Sequence, residues 1–335
     1  MMVVVWLSFG WMGTNGCTKS SEPVATPVPE ASAPAAPKAM ERRAFAPTVN
    51  GESVFKGISY GPFREGHKPG GPLPSAEQIA EDLRIIDDHW SMIRMYASEE
   101  PTETILKIVR DEQLPLVVMV GAWIDPDNLE ANEREVTTLI QLANAYPEQV
   151  TAVSVGNETQ VDWSAHRSDR QRLIGYIKRV REAVKQPITT ADDYNFWNKP
   201  ESHEVADVVD FVLLHAYAMW NGKQLDEAIP WTSEIYAGIQ AEHPDHPIVI
   251  GETGWATELN PEGNERNHIK APAGEAEQLQ FHEAFKAWTS EKRIPHFYFE
   301  AFDEPWKGSA DPREVEKHWG LYGVDRKPKK AMAPK

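Results

Sequence analysis

Ala152-Val153-Ser154-Val155-Gly156-Asn157-Glu158 is a run of small and β-branched residues that stops at a glycine and then delivers a carboxylate. A continuous run of this kind reads as a strand buried on both faces, the habit of parallel sheets. Ile248-Val249-Ile250-Gly251-Glu252-Thr253-Gly254-Trp255 repeats the same grammar a hundred residues on. A carboxylate at the C-terminal tip of a parallel strand sits where barrel enzymes keep their chemistry.

Working outward, further strand-like runs fall at Phe55–Tyr60, Met92–Tyr96, Leu116–Val120, Thr151–Val155, Ile188–Ala191, Phe211–His215, Ile248–Ile250 and His296–Phe299. Helical stretches fit between them. Ser75-Ala76-Glu77-Gln78 is a capping box that opens an amphipathic run to Trp90, and Asp127-Asn128-Leu129-Glu130 resembles a second before a helix to Tyr146. Arg167–Lys185 and Gly274–Ser290 read as helices as well. Eight such units predict an α/β fold, a single-domain (β/α)8 TIM barrel over 48–335. A doubly wound open sheet fits less well, because no Gly-rich dinucleotide fingerprint follows the first strand.

The 335 residues carry a net charge of -17. A surface this acidic repels phosphate backbones, which argues against nucleic acid as a partner. The chain has one cysteine, Cys17, so no intramolecular disulfide can form. Cys17 closes an apolar opening, Met2–Met12, which is shorter than the roughly 20 residues a bilayer span needs and suits an export signal. Residues 1–17 resemble a bacterial lipoprotein signal, with Cys17 as the acylated residue, although no Lys or Arg precedes the apolar run and Thr14-Asn15-Gly16 lacks the usual Leu. Residues 18–47 are rich in Pro, Ala and Ser without apolar periodicity, and read as a disordered tether. The expectation is an exported protein, lipid-anchored at the bacterial cell envelope or secreted, touching a membrane through that anchor at most. Nothing in the chain demands more than a monomer.

Two carboxyl groups at the tips of the fourth and seventh strands open on one barrel mouth, where they can approach to about 5 Å. That is the separation for double displacement with retention at a glycosidic carbon. One must be protonated to donate to the leaving oxygen and the other ionised to attack. Like-charge proximity and partial desolvation push their pKa values apart. Asn157, beside Glu158, offers an amide for a sugar 2-hydroxyl. Either glutamate alone can also be read as a solvated strand end; the pair is the specific signal.

This constellation resembles glycoside hydrolase family 17, the β-1,3-glucanases. Val155-Gly156-Asn157-Glu158 is similar to that family's acid/base motif, and Gly251-Glu252-Thr253-Gly254-Trp255 to its nucleophile motif. Gly57-Ile58-Ser59-Tyr60-Gly61 resembles its opening strand, with Ser59 where Asn is commoner, and Phe299–Lys307 resembles its eighth strand in bacterial members. The likeness extends from about Phe55 to Lys329. It implies Glu158 as acid/base and Glu252 as nucleophile, acting on β-1,3-glucan without a cofactor. The same pair would serve a glucan transglycosylase. A non-catalytic glucan-binding lipoprotein is the rival of another class, and the intact pair argues against it.

Further candidates for the substrate site follow. Arg94, inward on strand two, would hold the nucleophile ionised, and Tyr217, ending strand six, would hydrogen-bond it. Glu304 and Lys307, beyond strand eight, would meet sugar hydroxyls. Of the aromatics near strand ends, Tyr60, Tyr96, Trp255 and Trp306 are expected in the groove, with Phe63, Trp123, Tyr194, Phe196, Trp197 and Trp220 as further members of the same set. Asp192-Asp193, after strand five, could contact sugar, and the commoner reading of such a pair is a turn. No metal site is expected: no His-x-x-x-His pattern occurs, and His243 and His246 read as a solvated turn. No Gly-x-Ser-x-Gly elbow supports serine chemistry.

Overall fold

The computed structural model describes residues 40–334. The leader, Cys17 and the tether up to residue 39 lie outside the described residues.

Eight strands close into one parallel barrel in sequence order, the eighth pairing with both the seventh and the first. They are β1 (Lys56–Ser59), β2 (Met92–Arg94), β3 (Val117–Ala122), β4 (Val150–Asn157), β5 (Ile188–Asp193), β6 (Val212–His215), β7 (Ile248–Glu252) and β8 (His296–Tyr298). Closure of the ring brings all eight C-terminal tips to one rim. Helices α1 (Ala76–Asp87), α2 (Thr102–Asp111), α3 (Leu129–Ala145) and α4 (Arg170–Ala183) follow the first four strands. After β5 come three single turns, α5 (Tyr194–Trp197), a 3-10 turn (Pro200–Ser202) and α6 (His203–Ala206); α7 (Leu225–Glu242) and α8 (Glu275–Lys292) follow β6 and β7. Ser75 caps α1 in a reciprocal box with Gln78, as its sequence predicts. At α3 the cap is Asn128, whose side chain accepts from the Ala131 N–H, and not Asp127.

Alternation along the strands splits the core in two. Outward residues such as Ile58, Ile93, Val118, Val153 and Ile250 pack under the helices. Inward residues Met92, Met119, Ala152, Phe211, Leu213, Val249 and Phe297 fill the lower lumen. The rim, above them, is left for polar groups.

Two expectations need correction. The tether was expected to run to residue 47, yet its last residues are part of the barrel. Arg43 donates from its backbone to Asp210, and from its guanidinium to the carbonyls of Gln186 and Arg181, while the Phe45 ring lies 4.6 Å from Phe211. The Pro-Ala-Ser composition had already given way there to residues with something to bind or bury. An Asn50-Gly51 turn then joins two short strands, both residues at positive φ, which is the hairpin chemistry Asn-Gly favours. His243 and His246, read as a solvated turn, are buried. His243 meets Ser202 and the Trp197 carbonyl, and His246 meets Arg42 and the Ala206 carbonyl. Among the described residues no helix is long and apolar enough to cross a membrane.

Two other histidines, His282 of α8 and His296 of β8, are buried so deeply that their pKa values fall to about 3 and about 4. Both are neutral in the folded chain. Above pH 6.5 neither costs stability. As pH falls below 6.5 the unfolded chain takes up protons that the folded one refuses until about pH 4 or 3. At pH 5 each should remove on the order of 2 kcal/mol. Urea unfolding of wild type and His282→Leu at pH 7.5 and 5 checks this: the variant should lose about 2 kcal/mol less between the two pH values. Equal losses would refute it.

Candidate active site

β4 ends in a turn that a regular strand could not make. Gly156 has φ +84° and Glu158 φ +50°. Successive residues of a strand point to opposite faces, so Asn157 and Glu158 would diverge. The left-handed turn lets both line the mouth. A non-glycine residue held at positive φ costs about 1 kcal/mol or more, and the Glu158 N–H bond to the Ala191 carbonyl, at 2.8 Å, helps to hold it there.

Opposite stands Glu252, at the tip of β7. Its Oε1 accepts from Arg94 at 2.7 Å and its Oε2 from the Tyr217 hydroxyl at 2.7 Å. Arg94 also donates to the Gly251 carbonyl at 3.1 Å and to Asn157 Oδ1 at 2.6 Å. With its oxygen taken, Asn157 has its NH2 group to offer a ligand. His215 stands between the glutamates, Nδ1 2.9 Å from Glu158 Oε1 and Nε2 3.4 Å from Glu252 Oε1. One oxygen of each glutamate and a ring nitrogen lie within 4.8 Å of one another.

The two carboxyls are driven in opposite directions. Burial, then the charges of Glu252 and Asp193, push Glu158 well above the usual carboxylate range, and Arg94 only partly offsets this. Burial would raise Glu252 too, but His215, Arg94 and Tyr217 outweigh it and hold the group below its usual value. The His215 contribution needs a protonated ring, and burial drops that ring to about 4. Above that pH, Arg94 and Tyr217 keep Glu252 ionised. A neutral imidazole has one N–H and one lone pair. The charge order therefore sets its tautomer: Nδ1 accepts from protonated Glu158 and Nε2–H faces Glu252.

Glu158, His215 and Glu252 are also the one set of metal-type donors gathered in this way among the described residues. Both Glu252 oxygens are already claimed by donors, one of them a fixed cation at 2.7 Å, so a metal ion would have to displace Arg94.

A second cluster forms the wall beyond β8. Lys307 Nζ lies 2.7 Å from Glu300 and 2.6 Å from Glu304, and Trp306 Nε1 donates to Glu304. Burial raises the Glu300 carboxyl well above its usual range, whereas Lys307 and its hydrogen bonds overcome burial at Glu304 and lower it. Gly61 is required here, since a Cβ would overlap the Glu304 carboxylate.

Asn157, Glu158, Tyr217, Glu252, Glu304, Trp306 and Lys307 line a cavity of about 1090 Å³, and Arg94, His215 and Glu300 are buried outside its lining. Of the aromatics expected there, Tyr60, Phe63, Tyr96, Trp123, Trp220 and Trp306 line it. Tyr60 borders it without exposed surface, and Trp255 does not reach it. Tyr60 is fully buried with its hydroxyl on Asp82, and Trp255 is fully buried against Phe281 with its N–H on the Pro272 carbonyl. Phe196 and Trp197 are core residues too. Nearness to a strand end does not reveal which way such a ring turns.

Sequence reading missed His215, Trp163 and Glu316. His215 is two residues before Tyr217, and period-two alternation would have put both on one face. Trp163, 61 % exposed, is a large apolar ring in a polar loop and lines the cavity. Glu316 also lines it; burial, with Glu314, Glu158 and Glu252 adding to it against Lys307, raises it to about 7. Nothing in its local sequence marks it.

Residues 57–320 match the family described as the BtgE/BtgC glycoside hydrolase domain. A glucan 1,3-beta-glucosidase of Arthroderma benhamiae is 28% identical over 277 residues, 78% of this chain and 86% of that protein. A putative glucan endo-1,3-beta-glucosidase, btgC, of Aspergillus niger is 27% identical over 84% of this chain but only 43% of its own length, so the chain spans less than half of that relative. Among solved structures, an endo-laminarinase from Formosa Hel1_33_131 has a TM-score of 0.74 at 26% identity, covering 83% of this chain and 85% of that one. A family 17 beta-1,3-glucanosyltransferase from Rhizomucor miehei has a TM-score of 0.69 at 25% identity, covering 83% and 97%.

If the Tyr217 phenol helps to hold the Glu252 charge, Tyr217→Phe should raise the lower carboxyl pKa of the pair by about 1 unit, the worth of one charge-assisted bond. An NMR titration of labelled glutamate carboxyls reads this directly. An unmoved titration would rule out that role for the phenol.

Proposed function

The chain belongs to the BtgE/BtgC glycoside hydrolase family, within glycoside hydrolase family 17, and from that premise we propose that it cleaves β-1,3-glucan by double displacement with retention. Glu252 attacks the anomeric carbon and forms a glucosyl-enzyme ester. Glu158 first gives its proton to the leaving oxygen and then takes one from the acceptor. The observation that carries this reading is the approach of the two carboxyls within 4.8 Å, one pushed up and the other down in pKa. Inverting enzymes need about 6.5–9.5 Å, room for a water between the groups. Asn157, steered by Arg94, faces the sugar 2-hydroxyl, where its hydrogen bond strengthens as charge develops.

Substrate class rests on the relatives named above and on the lining of the groove. The cavity presents eight carboxyl residues, Glu99, Glu100, Glu135, Glu158, Asp193, Glu252, Glu304 and Glu316, and a single lysine, Lys307, which is already paired. An anionic sugar would find repulsion and no unpaired lysine or arginine; a neutral glucan meets hydrogen-bond acceptors and aromatic faces. Trp306, 40 % exposed, and Trp163 supply such faces. Transglycosylation is a second reading, favoured by the exposed Trp163 beyond the acid/base residue. Every group in the scheme comes from one chain, in keeping with a monomer. Acylation of Cys17 would tether the enzyme at the cell envelope.

Incubation with a linear β-1,3-glucan oligosaccharide, followed by ¹H NMR, tests the scheme. The β-anomer should appear first, and Glu252→Gln should lose about 10⁴-fold or more in rate. An α-anomer first, or an active Glu252→Gln, would overturn it. Products longer than the donor would establish transfer.

A further inference from the structure

One lip of the groove hangs from a carboxylate that never touches it. Asp192 is fully buried in β5 and contributes nothing to the cavity lining. Its Oδ2 accepts the Gln160 N–H at 2.8 Å, and its Oδ1 accepts the N–H groups of Val161 at 3.2 Å and Asp193 at 2.9 Å. Gln160 and Val161 lie in the loop between β4 and α4, and Trp163 follows two residues later. The Gln160 side chain staples the loop across its ends, donating to the carbonyls of Thr159 and Ser168 and accepting from Arg170. Beyond these, the loop carries ion pairs of Asp162 with Arg167 and Lys199, which are exposed and worth little. An indole 61 % exposed has little packing of its own to fix it. The Val161 side chain is buried and the Ser164 N–H bonds the Val161 carbonyl, so the backbone that Asp192 holds carries Trp163 with it.

β4 and β8 are four places apart in a ring of eight, so the loops that carry Trp163 and Trp306 rise from opposite sides of the barrel mouth. Glu158 begins the loop that carries Trp163. If Glu158 protonates the leaving oxygen, this is the leaving-group end and, in the second step, the acceptor end. We infer that Asp192 is a positioning residue for that end: by pinning Gln160 and Val161 it sets Trp163 as the platform for the leaving sugar and for an incoming one. In the second step the acceptor O–H gives its proton to the Glu158 carboxylate. The acceptor oxygen bonds to the anomeric carbon, and the ester bond to Glu252 breaks, returning the free carboxylate. Water needs no platform for this, whereas a sugar acceptor does.

The inference rests on the retaining reading above, and its test separates the two. Laminaribiosyl β-fluoride loses a fluoride ion that fills no sugar seat; laminarihexaose loses a sugar that does. In the full chain, Asp192→Asn should lower kcat/KM for the hexaose about tenfold while changing fluoride release by less than about twofold. The Asp192→Asn/Trp163→Ala double variant should do no worse on the hexaose than Trp163→Ala alone, since both act through one seat. Equal losses on both substrates, or none on either, would overturn the inference and assign Asp192 to stability alone. Should Asp192→Asn not fold, Gln160→Pro, which removes an N–H that Asp192 holds and leaves β5 itself unchanged, decides by the same comparison. A wild type inactive on both substrates would remove the retaining reading and this inference with it, a result distinct from equal loss in a variant.

Discussion

A buried guanidinium holds the rim of this barrel together. Arg94, at the tip of β2, bonds to Glu252 and the Gly251 carbonyl on β7 and to Asn157 on β4. Taking such a charge out of water is costly, and truncating one partner of a buried pair is costlier still. Here the cost is met by three acceptors and by the Tyr96 ring, whose centroid lies 4.6 Å from the guanidinium carbon. The same charge keeps one carboxyl ionised while the other, on β4, receives less of it. A structural requirement and an electrostatic one are thus satisfied by one residue.

Asymmetry between the two glutamates comes from their neighbours, because the residues themselves are chemically identical. Glu252 collects Arg94 and Tyr217; Glu158 faces Glu252, Asp193 and a neutral imidazole. The wall beyond β8 repeats the pattern, with Lys307 between Glu300 and Glu304 and the proton left on Glu300. Burial amplifies every such difference, since charges interact more strongly where water is excluded. The deepest carboxyls of the acidic groove are held by a cation, as Glu252 and Glu304 are, or pushed up in pKa by burial, as Glu158 is.

Buried carboxylates also hold loops. Asp192 carries the start of the β4–α4 loop, and Glu135 accepts from the backbone of Ser98 and of Trp123 on two neighbouring lips. Backbone N–H groups at loop starts need acceptors once they leave the sheet, and a carboxylate from the adjacent element can serve two or more at once. Precision at the groove therefore depends on a residue outside it, Asp192, as well as on Glu135 in its lining.

The architecture was legible in the chain. Strand runs of β-branched residues, capped helices between them and the absence of a dinucleotide fingerprint determined a barrel, because burial on both faces is written as local hydrophobic pattern. Glu158 and Glu252 could be picked out because each ends such a run, and Arg94 and Tyr217 because their places on a strand aim them inward. The tertiary structure decided what local pattern cannot hold. It buried Tyr60 and Trp255, set His215 between the two glutamates, added Trp163 and Glu316 to the mouth, and drew residues 41–47 onto the floor of the barrel. It also decided which glutamate keeps the proton. A pKa depends on charges and burial within a few ångströms, and those neighbours come from β2, β4, β5, β6 and β7, which only closure of the ring brings together.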